Sequence, residues 1–227
     1  MKRLGIIGGL GTETGCNFVL NVNSKFRRLS GQNADVVLEN VAVPKQVEAK
    51  IVSGDLSMEL FVLLSDAVSK LNDSDVDFIV IPCNSVHVFI DDLRKLSKKP
   101  VLSIVEECCN FCISYKLKTV GLIASQTTIN QELYENLLKK SNIKVLKPDN
   151  KNQRIVNDII ISILDKSAGK KELSALLRIA QDLRANGAEN VILGCTDLPL
   201  IIPKLKLEGF ISSMSVLEDS AIELLSS

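Results

Sequence analysis

The sequence predicts an α/β fold of two pseudo-symmetric domains, each a mostly parallel sheet flanked by helices, with a cleft between them. Short β-branched apolar runs alternate with amphipathic helical patterns along the 227 residues, which is typical of parallel sheets. Residues 77–85 (DFIVIPCNS) and 189–197 (ENVILGCTD) share one design: an apolar run, Pro or Gly, a cysteine and a small polar residue. Residues 4–8 (LGIIG) and 120–124 (VGLIA) repeat at nearly the same separation, so the two repeats together indicate a duplicated domain.

The first half reads as four strands separated by helices. A Gly- and Thr-rich loop follows the first strand, and Pro44 stops the second. Apolar residues recur at helical spacing over 58–71. The predicted strands are 4–8, 34–43, the run from 77 into the Cys83 turn, and 101–104; the predicted helices run from the first loop to about residue 28 and over 58–71, 85–96 and 106–115.

The second half repeats this alternation. Its predicted strands are 118–124, 143–146 and the run from 189 into the Cys195 turn; its helices follow the 125–128 turn to about 141, then cover 154–164, 171–186 and 216–225, with 199–205 irregular. Gly187 is expected to cap the helix before the second cysteine strand. The final helix is expected to pack on the first half. We therefore predict one domain from residues 1–97 plus 211–227 and a second from residues 98–210.

Composition excludes several classes of function. The chain is 46% hydrophobic and 24% charged with a net charge of zero, so neither nucleic acid nor a membrane surface is an expected partner. No segment approaches the roughly 18 apolar residues that span a bilayer. We expect a cytoplasmic protein whose six cysteines are thiols. Cys108, Cys109 and Cys112 lie within a predicted helix without further ligands nearby, which favours buried thiols over a metal site.

The two repeated cysteines are the candidate reactive groups. A cysteine at a strand tip before a helix lies near the positive end of the helix dipole, which stabilises a thiolate. His87 is the only histidine and cannot serve as the base for both thiols. Cys83 and Cys195 could instead face each other, one as thiolate base and one as thiol acid, on opposite sides of one substrate carbon. The alternative is that both are buried core cysteines.

The turns around the cysteines supply neutral hydrogen-bond donors. Asn84, Ser85, Thr196 and the backbone N–H groups could hold a carboxylate and the enediolate charge that forms when an α-proton leaves. Such donors would not lock either thiol in a permanent ion pair. The pattern therefore fits inversion of a stereocentre without a cofactor or a metal.

Three motifs in order resemble those of the aspartate/glutamate racemase family. Residues 82–87 (PCNSVH) resemble its Pro-Cys-Asn-Thr-x-His signature, and residues 194–199 (GCTDLP) its Gly-Cys-Thr-Glu-Leu-Pro signature. Residues 6–14 (IIGGLGTET) look like its N-terminal Gly-Gly-Met-Gly-Pro-Glu motif. The resemblance covers essentially the whole chain. It implies a pyridoxal-phosphate-independent racemase whose acid/base pair is Cys83 and Cys195, with the site between two pseudo-symmetric α/β domains; because the family is often dimeric, a homodimer is the assembly to test.

The resemblance also implies a set of substrate-binding residues: Gly11, Thr14, Gln46, Asn84, Ser85, Thr128 and Thr196. Of these, Gln46 stands where the family often has an Arg that grips the side-chain carboxylate. Lys45 could replace that Arg only as a point charge, and the segment around Ile161 and Lys166 is a further candidate for a cation.

Three other positions depart from the motifs. Thr12 replaces a Pro, Gly15 replaces a Thr, and Asp197 is one methylene shorter than the family Glu. These departures, with Gln46, leave the preferred side chain open.

The sequence thus predicts a racemase that interconverts L- and D-aspartate by proton transfer at Cα. Alternatives within the same superfamily are a glutamate or broad-specificity racemase, a hydantoin racemase, or an isomerase or decarboxylase of a small diacid. A different class, a non-catalytic protein that binds small acids, is motivated by Gln46 and Gly15.

Overall fold

The computed structural model describes residues 1–55, 57–203 and 208–227, and it consists of two halves that each carry a four-stranded parallel sheet. The elements of the first half, in chain order, are β1 (Arg3–Gly8), α1 (Thr12–Ser30), β2 (Asp35–Asn40), α2 (Lys45–Ser53), α3 (Met58–Asn72), β3 (Phe78–Val80), a 3-10 turn (Ser85–Phe89), α4 (Ile90–Leu96), β4 (Val101–Leu102) and α5 (Ile104–Ser114).

The second half follows the same plan. Its elements are β5 (Thr119–Ala124), α6 (Gln126–Asn130), α7 (Glu135–Leu138), a 3-10 turn (Lys139–Ser141), β6 (Lys144–Leu146), α8 (Asn150–Leu164), α9 (Lys170–Ala185), β7 (Asn190–Gly194), a 3-10 turn (Leu198–Ile201), β8 (Phe210–Ser212) and α10 (Ser213–Ser226).

The strand order is the same in both sheets. It is β2-β1-β3-β4 in the first and β6-β5-β7-β8 in the second, and every neighbouring pair is parallel. This confirms the predicted fold class and the repeat seen in the sequence. Because β3 and β7 occupy equivalent places, their carboxyl ends carry equivalent turns, and these turns hold Cys83 and Cys195.

The two halves share one hydrophobic core. Alternate residues of a strand point to opposite faces, so Ile6 joins this shared core while Ile7 joins a core confined to the first half. In the second half, Leu122 lies in the shared core and Ile123 in a separate one. Helices α1, α5 and α10 fill the shared core, and α10 contacts both α1 and α5. The final helix thus packs on the first half, as its sequence predicts.

The predicted domain boundaries separate strands that pair with each other in the structure. Strand β4 pairs with β3 although the predicted first domain stops at residue 97, and β8 pairs with β7 although the second stops at residue 210. By topology α10 follows the fourth strand of its sheet as α5 does in the first half. The domain boundaries therefore remain a prediction, while the chain passes from one sheet to the other between β4 and β5.

Several elements differ from their predicted form. Helix α2 and strand β8 have no counterpart in the prediction, and β2 ends at Asn40 rather than at residue 43. The helix predicted after the 125–128 turn is broken because Glu132 adopts a left-handed backbone conformation, with φ of 49°. Of the predicted irregular segment, residues 204–205 lie outside the described residues. Within those residues no helix has the length and apolar character needed to cross a bilayer.

The loop after β1 requires glycine for close packing. Gly9 has φ of 85°, and a Cβ atom added there would lie 2.0 Å from the Val41 carbonyl oxygen. The loop can therefore pass against the end of β2 only without a side chain.

We expect Gly9→Ala to lower the free energy of unfolding by about 3 kcal/mol or more, since backbone strain adds to a collision that no side chain can relieve. Gly187→Ala is the matched control, because Gly187 has φ of 102° but nothing within 4 Å of the added Cβ. That control should lose only about 1 kcal/mol. Urea unfolding followed by circular dichroism measures both, and equal losses would contradict the packing argument.

Candidate active site

Both cysteine turns follow the carboxyl ends of parallel strands. Cys195 comes directly after β7, and Cys83 follows β3 across Ile81 and Pro82. Ligands of open α/β sheets bind beyond this edge. The equivalent places of the two strands therefore bring the two thiols to corresponding positions, one from each half.

The two thiols line one small cavity between the halves. Its volume is about 30 Å³, and Cys83 is 9% exposed while Cys195 is half-buried. The polar side chains of the wall are Glu48, Asn84, Ser85, Ser125, Thr196 and Asp197, and the apolar ones are Leu10, Ile51, Val52, Ile160 and Leu164. A space of this size holds about one or two water molecules, so the site is closed in this conformation.

Burial governs the ionisation of both thiols. It raises the pKa of Cys83 to about 12, outweighing the opposite effect of the Val86 and Ser85 N–H groups. Burial likewise raises the pKa of Cys195, and Asp197 and then Cys83 add to the increase. The sequence led us to expect thiolates stabilised by helix N-termini. In the closed cavity the structure differs from this expectation, because the loss of hydration destabilises a thiolate more than the local N–H groups stabilise it.

His87 is turned away from the cavity. Its Nδ1–H donates to the Cys83 carbonyl oxygen at 2.7 Å, and its Nε2 accepts from the Ile104 N–H at 3.2 Å. Burial lowers the His87 pKa to about 4, so the ring is neutral at physiological pH. Both ring nitrogens are thus occupied by the backbone, and His87 positions the Cys83 turn instead of exchanging protons with a substrate.

Hydrogen bonds connect each cysteine turn to the opposite half of the molecule. Thr196 Oγ1 donates to the Pro82 carbonyl oxygen at 3.1 Å. Asn84 Nδ2 donates to Ser213 Oγ at 3.0 Å, and Asn84 Oδ1 accepts from the Tyr134 hydroxyl at 2.6 Å. Asn84 and Thr196 both line the cavity, so they fix its shape while one N–H of Asn84 remains for a ligand.

A cluster of three hydroxyl groups closes another side. Ser85 Oγ lies 2.7 Å from Ser125 Oγ and 3.3 Å from Thr128 Oγ1. Ser85 and Ser125 line the cavity, whereas Thr128 is fully buried behind them. Thr128, predicted as a substrate contact, therefore orients the two serines in this closed conformation.

Asp197 is a buried carboxyl next to Cys195. Its Oδ1 accepts from the Thr14 hydroxyl, and the Cys195 thiol lies 3.7 Å from its Oδ2. Burial raises its pKa to about 6, and the nearby carboxylate of Glu48 adds to the increase. Thr14, also predicted as a substrate contact, lies behind Asp197 and does not line the cavity.

Two more predicted contacts lie outside the inner cavity. Gly11 lines a neighbouring depression, and its N–H lies beside the Glu48 carboxylate. Gln46 is exposed on α2 and lines neither space. Lys45 is exposed and pairs with Asp165 at 2.6 Å, so neither side chain lines the inner cavity in this conformation.

Glu48 is a cavity-lining residue that sequence reasoning missed. It lines the cavity from α2, together with Ile51 and Val52 on the same face of that helix. If α2 had been predicted as a helix, the spacing of these residues would have placed them on one face, since residues three and four apart lie on the same side of a helix. Helix α2 also contacts α6 and α8 of the second half, and Thr127 Oγ1 donates to the Ile51 carbonyl oxygen at 2.5 Å.

The other four cysteines do not line this cavity, and Cys16 is exposed on α1. Cys108, Cys109 and Cys112 are buried in the shared core as free thiols, which confirms their interpretation from sequence. In residues 1–55, 57–203 and 208–227, no three His, Cys, Asp or Glu side chains cluster in a way that could hold a metal ion.

Relatives of known sequence resemble the chain over nearly its full length. The broad specificity amino-acid racemase RacX of Bacillus subtilis (strain 168) is 25% identical over 225 residues, which cover 96% of each chain. The glutamate racemase of Neisseria meningitidis serogroup A is 24% identical over 215 residues, which cover 92% of this chain and 74% of that one.

Solved structures share the fold. An aspartate racemase of Picrophilus torridus superposes with a TM-score of 0.84 at 20% identity, covering 100% of this chain and 95% of that one. A glutamate racemase of Francisella tularensis, in complex with D-glutamate, superposes with a TM-score of 0.73 at 21% identity, covering 99% and 81%. The profile described as Asp/Glu/Hydantoin racemase matches residues 7–217, and the chain belongs to this family.

Proposed function

We propose that the chain racemises an amino acid without a cofactor, using Cys83 and Cys195 as a two-base pair at Cα. One observation carries the proposal: thiols from equivalent strand ends of the two halves line the same closed cavity. One thiolate takes the α-proton, so a C–H bond breaks and an S–H bond forms. The other thiol gives its proton to the opposite face of the carbanion, and the thiolate has moved from one sulfur to the other.

The substrate itself supplies the charge that this chemistry needs. Ionising a thiol of pKa about 12 at pH 8 costs about 5 kcal/mol. A substrate ammonium about 4 Å from the sulfur returns about 4 kcal/mol at an effective dielectric constant near 20. The substrate ammonium therefore offsets part of the free energy needed to ionise a thiol, which burial keeps protonated in the unoccupied cavity.

The substrate's carboxylate has neutral donors to bind. Asn84, Ser85 and Thr196 line the wall beside the thiols, and the N–H groups of Ser85 and Val86 point at the Cys83 sulfur. As the α-proton leaves, charge moves onto the carboxylate oxygens, and such donors stabilise that charge. We assign Asn84, Ser85 and the backbone N–H of Thr196 to the substrate's α-carboxylate, because the Thr196 hydroxyl already donates its hydrogen to the Pro82 carbonyl oxygen.

The identity of the side chain is a separate question. The motifs of the sequence predict aspartate. The relatives are named as aspartate, glutamate and broad-specificity racemases, so all three substrate preferences are considered. No described residue that lines the inner cavity is Lys or Arg, so an acidic side chain would have no cation there. Aspartate and glutamate therefore enter the experiments as members of a substrate panel. The homodimer and the cytoplasmic location also remain predictions.

We expect Cys83→Ala and Cys195→Ala each to lower the racemisation rate by about 100- to 10,000-fold, because either face then lacks its acid or base. Proton NMR in deuterated water measures exchange at Cα, and polarimetry measures racemisation. Cys16→Ala, which removes an exposed thiol on α1, is the control and should leave the rate unchanged.

Full racemisation by either alanine variant would refute the two-base assignment. A wild-type protein that exchanges no amino acid would refute the enzymatic proposal. Thermal stabilisation by an amino acid without exchange would support the binding-protein alternative instead.

Asp197 gives a prediction about stability and pH. Its pKa rises from 3.8 to about 6 on folding, so its contribution to stability is full below pH 4 and is lost as the pH rises through 6. Asp197→Asn, which keeps an acceptor for Thr14, should raise the free energy of unfolding at pH 8 by on the order of 1–3 kcal/mol and have little effect at pH 4.

Urea titrations at both pH values test this prediction through the difference in the free energy of unfolding between variant and wild type. The comparison must be a difference because buried His87, with its lowered pKa, destabilises the fold as the pH falls through the same range. An equal change at pH 4 and pH 8 would contradict the assigned charge state.

A further inference from the structure

The inner cavity adjoins a wider outer depression. The outer depression has a volume of about 390 Å³, and the two spaces share Glu48, Leu164 and Asp197 in their walls. The inner space, which both thiols line, is about 30 Å³ in volume and offers no room for a long side chain. A side chain of several carbons would therefore extend past Glu48 and Leu164 into the outer depression.

The walls along this path are acidic. Glu13, Glu48 and Asp197 line the outer depression, against the single described cation Lys166. Lys166 forms an ion pair with Glu13, and its charge also lowers the pKa of Asp197, but one cation beside three carboxylates leaves a net negative charge. Glu48 and Asp197 are left to set the potential where the two spaces meet.

The two remaining carboxylates are not equivalent. Asp197 has partners for both oxygens, since it accepts from the Thr14 hydroxyl and lies 3.7 Å from the Cys195 thiol. Glu48, within the described part of the chain, takes part in no ion pair. The Gly11 N–H lies beside its carboxylate, and the nearby charges of Asp165 and Lys45, which pair with each other, shift its pKa in opposite directions. Glu48 is thus the acidic group that is available to a ligand.

Apolar residues form part of the inner cavity wall together with Glu48. Ile51, Val52, Ile160 and Leu164 line the inner cavity next to Glu48. Methylene groups of a substrate side chain could pack along such a surface while a charged end reaches the carboxylate. The combination suits a side chain with a long apolar stem and a cationic end.

We propose that Glu48 binds the cationic end of the substrate's side chain, so that the protein prefers a basic amino acid such as lysine, ornithine or arginine over an acidic one. This inference rests on the proposed racemase function and adds the substrate class to it. A carboxylate side chain at this place would face Glu48 and Asp197, and like charges at a desolvated site oppose binding.

The experiment compares lysine with norleucine, which has a side chain of similar length without the charge. Exchange at Cα in deuterated water gives kcat/KM for lysine, norleucine and glutamate with wild type, Glu48→Gln and Glu48→Lys. Wild type should favour lysine over norleucine and norleucine over glutamate. Glu48→Gln should lower kcat/KM for lysine at least about 10-fold and change that for norleucine less than about threefold. Glu48→Lys should reverse the order of lysine and glutamate.

Glu59→Gln is the matched control. Glu59 is exposed on α3, so this substitution makes the same chemical change away from the site. It should leave the ratio of lysine to norleucine unchanged. Circular dichroism checks that each variant is folded, and the ratio of substrates separates a role in specificity from a general loss of activity.

The outcomes distinguish the two proposals. A wild-type protein that exchanges no amino acid refutes the racemase function itself. One that exchanges neutral or acidic amino acids in preference to lysine refutes the role of Glu48 and leaves the racemase function standing. An unchanged ratio of lysine to norleucine in Glu48→Gln refutes the role of Glu48 as well.

Discussion

The closed site depends on hydrogen bonds that join the turn after β3 to the turn after β7 and to the start of α10. Thr196 of the second half donates to the Pro82 carbonyl of the first, and Asn84 of the first half donates to Ser213 of the second. Each reactive thiol is adjacent in sequence to one of these donors. The spacing of the two sulfurs is therefore set by contacts between the halves and not by either half alone, which explains why duplicated motifs produce one composite cavity.

Much of this arrangement is readable in the sequence because it follows from burial and repetition. Strands buried on both faces need continuous apolar runs, and the turns after them need Gly, Pro and small polar residues. Residues 77–85 and 189–197 meet both conditions, so the strands, their turns and the repeat could be predicted. Parallel strands place such turns at one edge of a sheet, and this is why Cys83 and Cys195 could be paired before any coordinates.

The parts that could not be predicted are short or lie one layer behind the cavity. Helix α2 follows Pro44 without a capping side chain and buries only three residues, so its signal is weak beside the strand before it. Strand β8 spans only Phe210–Ser212, too few residues to show a period of two. A motif identifies Thr14 and Thr128 as important, but it does not tell whether a hydroxyl contacts a ligand or supports another side chain.

Helix α2 belongs to the first half by sequence but is held by the second, through the Thr127 bond to Ile51 and the packing of Val52 among residues of the second-half core. A cavity of about 30 Å³ cannot admit an amino acid while these contacts persist. Entry of an amino acid therefore requires part of the cavity wall to move, and α2, which carries Glu48, forms part of that wall. A movement of α2 would also displace the Glu48 carboxylate, so access to the cavity and the position of this carboxylate depend on the same helix.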